Sequence, residues 1–166
     1  MKKLFLLALF AVTTLSGFAQ SSTGSGKFSI GAEGTLPTGD AADLLSYGIG
    51  GSLKYDHPLS KNVFFTLSAG YESLQVKSEF KRSGFKSSFG FIPVKAGIKG
   101  YLTDGFFLEG QAGTVFSTEE GGNNLFVYSP GLGYSFKGGL EVGVRYEAWS
   151  NGGTIGQAGM RLAYRF

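Results

Sequence analysis

Few side chains in this sequence are equipped for chemistry. It contains one histidine and no cysteine in 166 residues. The missing Cys excludes disulfides, thiolate metal sites, Cys nucleophiles and lipid attached at a Cys. The histidine sits in His57-Pro58-Leu59-Ser60, where it is either a base for Ser60 or a turn residue ahead of a proline; the turn is the plainer reading. Glu119-Glu120 beside Asn123-Asn124 offers oxygen ligands to a hard cation, or is simply a solvated acidic loop. Gly121-Gly122 and Gly152-Gly153 read as turns, because no helix follows to make a phosphate cradle. The expectation is therefore no enzyme, no catalytic residue, no metal and no cofactor.

Two other groups of residues carry charge with a pattern. Glu33, Lys54, Glu72, Lys95, Lys99, Glu109, Glu141, Arg145, Glu147, Arg161 and Arg165 each sit among alternating apolar residues. They are expected to meet inside the fold as a lumen charge network. That network is either a selective water path or a salt-bridged plug, and the plug is favoured because eight strands enclose only the space that side chains fill. The second group lies in the segment 75–88, where Lys77, Lys81, Arg82 and Lys86 alternate with Phe80 and Phe85. Such a loop either grips phosphates or a partner protein, or is a hydrated loop whose charges serve solubility.

The elements that must position these residues follow from composition and period. Residues 1–19 have the layout of a cleaved secretory signal peptide: Lys2 and Lys3, a nine-residue apolar run over 4–12, and small residues at Gly17 and Ala19. Nine apolar residues are too few to span a bilayer, which takes about 20. Cleavage removes two of the 15 basic residues, leaving them nearly balanced by the 12 acidic ones, so no attraction to nucleic acid is expected. Residues 20–26 are a flexible Ser/Gly/Thr tether. The remainder, 27–166, is one domain. Its 28 Gly, 16 Phe and 8 Tyr disfavour a helical bundle.

From Lys27 onward apolar and polar residues alternate with period two, the mark of β-strands. Eight apolar faces run over 28–36, 47–55, 63–71, 92–98, 106–116, 126–136, 140–148 and 158–166, and none holds a charged residue. The opposite faces hold five Glu, Asp56, three Lys and three Arg among many Gly and Ser. Phe89 and Phe91 fall out of phase with 92–98, so a bulge is expected near Pro93. A charged, small-residue face suits the cramped interior of a closed eight-strand barrel. The aromatic, uncharged face then belongs against lipid, with Tyr47, Tyr55, Tyr71, Tyr128, Tyr146 and Tyr164 toward strand ends as a girdle. Connections alternate in length, with 37–46, 75–88, 117–124 and 150–156 longer than 57–62, 103–105 and 137–139. That is the outer-membrane pattern of long outer loops and short inner turns. The fold class is all-β: an eight-stranded antiparallel up-and-down transmembrane β-barrel. The competing reading is a soluble secreted barrel whose aromatic face lines a ligand cavity.

The segment Gly34-Thr35-Leu36-Pro37-Thr38-Gly39-Asp40, the pair Gly70-Tyr71, the run Gly131-Leu132-Gly133-Tyr134 and the closing Met160-Arg161-Leu162-Ala163-Tyr164-Arg165-Phe166 carry a resemblance. The chain resembles the small OmpA-like and OmpX-like outer-membrane barrels of Gram-negative bacteria over nearly all of 27–166. The resemblance implies outer-membrane localisation and contact with outer-membrane lipid, including lipopolysaccharide. It also implies that Met160, Leu162, Tyr164 and Phe166 form the assembly signal read by the barrel-insertion machinery. The expected function is a structural or interaction protein working through its extracellular loops, with a protein partner there. The alternatives are an accessory component of an envelope or secretion assembly, or a narrow ion or solute channel.

Overall fold

The computed structural model describes residues 26–82, 86–119 and 121–166, with the side chains of residues 81 and 82 outside that description. The expected signal peptide and all but the last residue of the tether lie outside the described residues. Eight strands follow in order: β1 (Lys27–Thr38), β2 (Leu45–Pro58), β3 (Val63–Val76), β4 (Ser88–Tyr101), β5 (Phe106–Ser117), β6 (Leu125–Ser135), β7 (Leu140–Ser150) and β8 (Thr154–Arg165). Each pairs antiparallel with the next, and β8 pairs back onto β1 to close the barrel. Closure leaves no unpaired strand edge. Its last stitch is the Phe166 N–H donating to the Phe28 carbonyl at 2.9 Å.

The period-two pattern resolves into two faces with opposite environments. Ile30, Ile49, Leu53, Leu67, Ile98, Leu132, Val144, Met160 and Leu162 are exposed on the outside, while Lys54, Glu72, Lys95, Lys99, Glu141 and Glu147 are buried within. The girdle tyrosines Tyr47, Tyr71, Tyr128, Tyr146 and Tyr164 are exposed outward. Tyr55 lies on the same face, tilted against Phe28 with ring centroids 4.6 Å apart. An aromatic face lining an internal cavity is thereby overturned.

Both ends of the described barrel and the short turns 59–62, 102–105 and 136–139 lie at one rim, called the lower rim below. The upper rim carries the connections 39–44, 77–87, 118–124 and 151–153. Two of these hold short helices that the strand pattern did not foretell, α1 (Ala41–Leu44) and α2 (Ser78–Arg82). The expected alternation of long and short connections fails at the last one. β7 and β8 run on until only Asn151-Gly152-Gly153 joins them, with Gly152 at φ +71°, a turn conformation open to glycine.

The bulge expected near Pro93 is absent. β4 keeps one register with β3 from Val63↔Gly100 to Gln75↔Ser88, and one register with β5 from end to end. Phe89 and Phe91 share the lumen-facing parity of Pro93 and Lys95, and they pack against a buried apolar cluster. They looked out of phase because a lumen-facing position was expected to be polar. Near the upper rim it is not. The one irregular register step lies at Leu45/Tyr47, where β2 enters the barrel.

Candidate functional site

The lumen is layered. At its lower end Lys99 Nζ meets Asp56 Oδ2 at 3.1 Å and Glu141 Oε2 at 2.5 Å. Lys54 Nζ bridges Glu141 Oε1 and Glu109 Oε1, both at 3.1 Å. Arg161 links this layer to the next, reaching Glu141 at 3.7 Å and Glu33 at 3.4 Å. Arg145 then joins Glu33 at 2.6 Å to Glu147 at 2.7 Å, and Lys95 also pairs with Glu147. Five cations and five carboxylates thus form one connected network running up the barrel axis. The burial of ionic side chains this deep is tolerable only because each is paired and hydrogen-bonded.

Two residues expected in the network join it differently. Arg165 makes no ion pair among the described residues; its Nη1 donates to the Tyr101 hydroxyl at 2.6 Å. Tyr101 lies 2.8 Å from Ser135 Oγ, and that hydroxyl donates to Glu141 at 2.8 Å, so Arg165 connects through two hydroxyls. Glu72 stands apart. Thr35 donates its hydroxyl to one carboxylate oxygen, across the site of Gly48, where any Cβ would fall on both groups. The other oxygen, Oε2, has no partner among the described residues, although Glu72 is only 1 % exposed.

Asp56 belongs to the network but was not among the residues expected there. Its signal was its place on the charged face of β2, two residues from Lys54. The aromatic floor was also not foreseen. Phe107 lies under both lysines, 4.1 Å from Lys99 Nζ and 5.7 Å from Lys54 Nζ, a cation–π arrangement. Its ring fits because β6 and β7 present Gly133 and Gly143 there.

Above the charges the lumen turns apolar. Leu45, Leu74, Val76, Val115, Val127 and Trp149 form a buried cluster, and Leu44 of α1 and Phe80 of α2 close over it. Trp149 is fully buried, and its Nε1 donates to Glu147 Oε2 at 2.9 Å, tying the apolar cap to the charged column. Among the described residues, two small cavities of about 30 and 20 Å³ lie in the lumen beside Lys54, Glu109 and Arg145. Each is the size of one or two water molecules.

Of the candidate loop residues, Lys77, Phe80 and Lys86 are described together with their side chains. Phe80 is committed to the cap. Lys86 pairs with Glu119 of the 118–124 connection. Lys77 is half-buried, its backbone N–H donating to the Leu44 carbonyl at 3.0 Å. Phe85 and the side chains of Lys81 and Arg82 lie outside the described residues, as does Glu120. The terminal alternation Met160, Leu162, Tyr164 and Phe166 is exposed along one outward stripe. His57 is exposed and lies 3.4 Å from Tyr55, not against Ser60. No group of three or more His, Asp or Glu side chains among the described residues is placed to hold a metal.

No protein-family model and no curated protein matches this chain. Solved structures do. Ail, the attachment invasion locus protein of Yersinia pestis, is 18 % identical with a TM-score of 0.63, over 87 % of this chain and 100 % of that one. The de novo designed barrel TMB2.3 is 18 % identical with a TM-score of 0.59, over 88 % and 98 %. The N-terminal β-barrel domain of Pseudomonas aeruginosa OprF is 16 % identical with a TM-score of 0.53, over 87 % and 100 %. These likenesses concern architecture, and one architecture hosts many functions. What the closed register, the uncharged outer face and these likenesses establish together is the fold: the chain is an eight-stranded antiparallel barrel of the outer-membrane type.

Proposed function

We propose that this protein spans a bacterial outer membrane as a non-conducting barrel, and that its upper-rim loops are its working surface. The observation that carries the reading is the pairing of a charge-free, exposed apolar exterior with a lumen closed by side chains. Strands of 11–14 residues rise roughly 28–35 Å at ~3.3 Å per residue and ~40° tilt, enough for a hydrocarbon band of ~25 Å. An ion crossing the lumen would have to break the network around Arg145 and then pass the dry cap at Trp149. In planar bilayers the inserted protein is expected to give no stepwise current, and Glu109→Gln is expected to leave the trace unchanged. A stable ion-selective step that Glu109→Gln alters would instead establish the channel reading.

The ligand class that the loops suit best is a polyanionic saccharide. The 77–87 connection supplies Lys77, Lys81, Arg82 and Lys86, and lysine and arginine are strong donors to phosphate and sulfate. Ail, 16 % identical here, is known in complex with the heparin analogue sucrose octasulfate. Because Lys86 is already shared with Glu119, the binding load falls on Lys77, Lys81 and Arg82. Titration of lipopolysaccharide or sucrose octasulfate should show affinity falling about tenfold or more in Lys81→Gln/Arg82→Gln, at ~1.4 kcal/mol per factor of ten. Unchanged affinity would assign those charges to solubility alone and turn attention to a protein partner, as expected of an accessory component in an envelope assembly.

A further inference from the structure

The lower rim carries lysines that the barrel itself does not use. Lys27 opens β1, Lys61 lies in the 59–62 turn and Lys137 in the 136–139 turn, and all three are exposed. Among the described residues none of them forms an ion pair. Asp104 is the one exposed acidic side chain at this rim among the described residues. Asp56 and Glu141, the next nearest carboxylates, are turned inward onto Lys99.

The upper rim differs in sign. Its connections contain Asp40, Asp43, Glu79, Glu119 and Glu120 against Lys77, Lys81, Arg82 and Lys86, a near balance tilted to the acidic side. The positive excess therefore belongs to one end only. At that end each lysine stands within two residues of an apolar residue of the outer face: Lys27 beside Phe28, Lys61 two residues from both Leu59 and Val63, and Lys137 after Phe136. An apolar stem and ring in hydrocarbon with an ammonium just above it is the arrangement that suits the headgroup level of a bilayer.

We propose that Lys27, Lys61 and Lys137 form a binding ring for the phosphate headgroups of anionic phospholipid in the leaflet at the lower rim. The proposal rests on the spanning reading above. The ring is spread around the circumference, so it selects single headgroups at separate places rather than one multivalent ligand. A bilayer that meets the two rims with different charge also favours one orientation of the barrel over the other.

The test is electron spin resonance on the protein inserted in phosphatidylcholine vesicles carrying trace spin-labelled phosphatidylglycerol or spin-labelled phosphatidylcholine. The immobilised fraction of the second label reads insertion, and the ratio of the two reads headgroup preference. The wild-type protein should immobilise phosphatidylglycerol on the order of fivefold more strongly at each site, the scale of one lysine at an anionic surface. The preference should weaken as salt is raised. Lys27→Gln/Lys61→Gln/Lys137→Gln should bring the ratio close to one while leaving immobilised phosphatidylcholine unchanged. Lys86→Gln, at the opposite rim and already paired with Glu119, should leave the ratio as in wild type. Equal immobilisation of both labels by the wild type, or a preference that survives the triple substitution, overturns the ring and leaves the spanning reading standing. A wild-type protein that immobilises neither label is outside the bilayer and overturns both.

Discussion

Glu147→Ala is expected to lower the unfolding free energy of the barrel by about 3–5 kcal/mol, the cost of breaking a buried ion pair from one side. Glu147 is fully buried, and its two oxygens serve four donors. Oε1 takes Lys95, the Arg145 Nε at 2.7 Å and Ser129 at 3.3 Å, and Oε2 takes the Trp149 indole at 2.9 Å. Truncation strands one lysine and half of an arginine in the lumen, and it releases the cap from the column beneath. Glu72→Gln is the matched control. Glu72 is as deeply buried but among the described residues pairs with no cation, and its one hydrogen-bond partner there, the Thr35 hydroxyl, can donate equally to an amide oxygen. That exchange should shift stability by under about 1 kcal/mol, in either direction. Urea unfolding of both variants in the same vesicles reads the difference. Equal effects would mean that burial depth, not the pairing pattern, sets the worth of a lumenal carboxylate here.

Val144→Arg should destabilise the inserted protein by about 2–4 kcal/mol, the measured scale for a basic residue facing lipid near mid-bilayer. Val144 is 48 % exposed on the outer face, between its register partners Leu132 and Met160. Its neighbour in sequence, Arg145, is an arginine that the lumen accommodates with two ion pairs. One step along the strand therefore separates a position that requires the charge from one that excludes it. On a barrel whose exterior met water, the same substitution would change stability by no more than about 0.5 kcal/mol. Folding in vesicles monitored by urea titration distinguishes the two, and a Val144→Arg protein as stable as wild type would remove the lipid from that face.

Much of the architecture was legible because two solvents act on alternate residues. Leu132, Val144 and Met160 face outward and Lys54, Glu109 and Arg145 inward simply by parity, and no glycine or proline in the strands breaks that count. The reading failed where parity and polarity part company. Phe89, Phe91 and Leu74 face the lumen although they are apolar, because the upper lumen is a dry cap and not a continuation of the charged column. Expecting polar residues at every inward position turned two in-phase phenylalanines into a bulge. Trp149 lies one residue beyond the last position assigned to its strand, so its inward parity went unused. The final loop shrank for a related reason: β7 and β8 keep their pairing up to Ser150↔Thr154, leaving a three-residue turn where a longer loop was expected.

The amino-acid sequence by itself determined the strands, their number, and the outward-facing and lumen-facing sets. Period two is a local property, and each residue's preference for hydrocarbon or for a polar interior is decided within its own strand. Only the tertiary structure decided which charges meet. Arg145 reaches Glu33 across 112 residues of chain and Lys54 reaches Glu141 across 87, pairings set by how the strands stagger when the barrel closes. The same closure left Glu72 without a cation among the described residues, joined Arg165 to the network through Tyr101 and Ser135, and stacked an apolar cap over the column. Those outcomes depend on height along the barrel axis, and height is fixed only when strand tilt and register are fixed together.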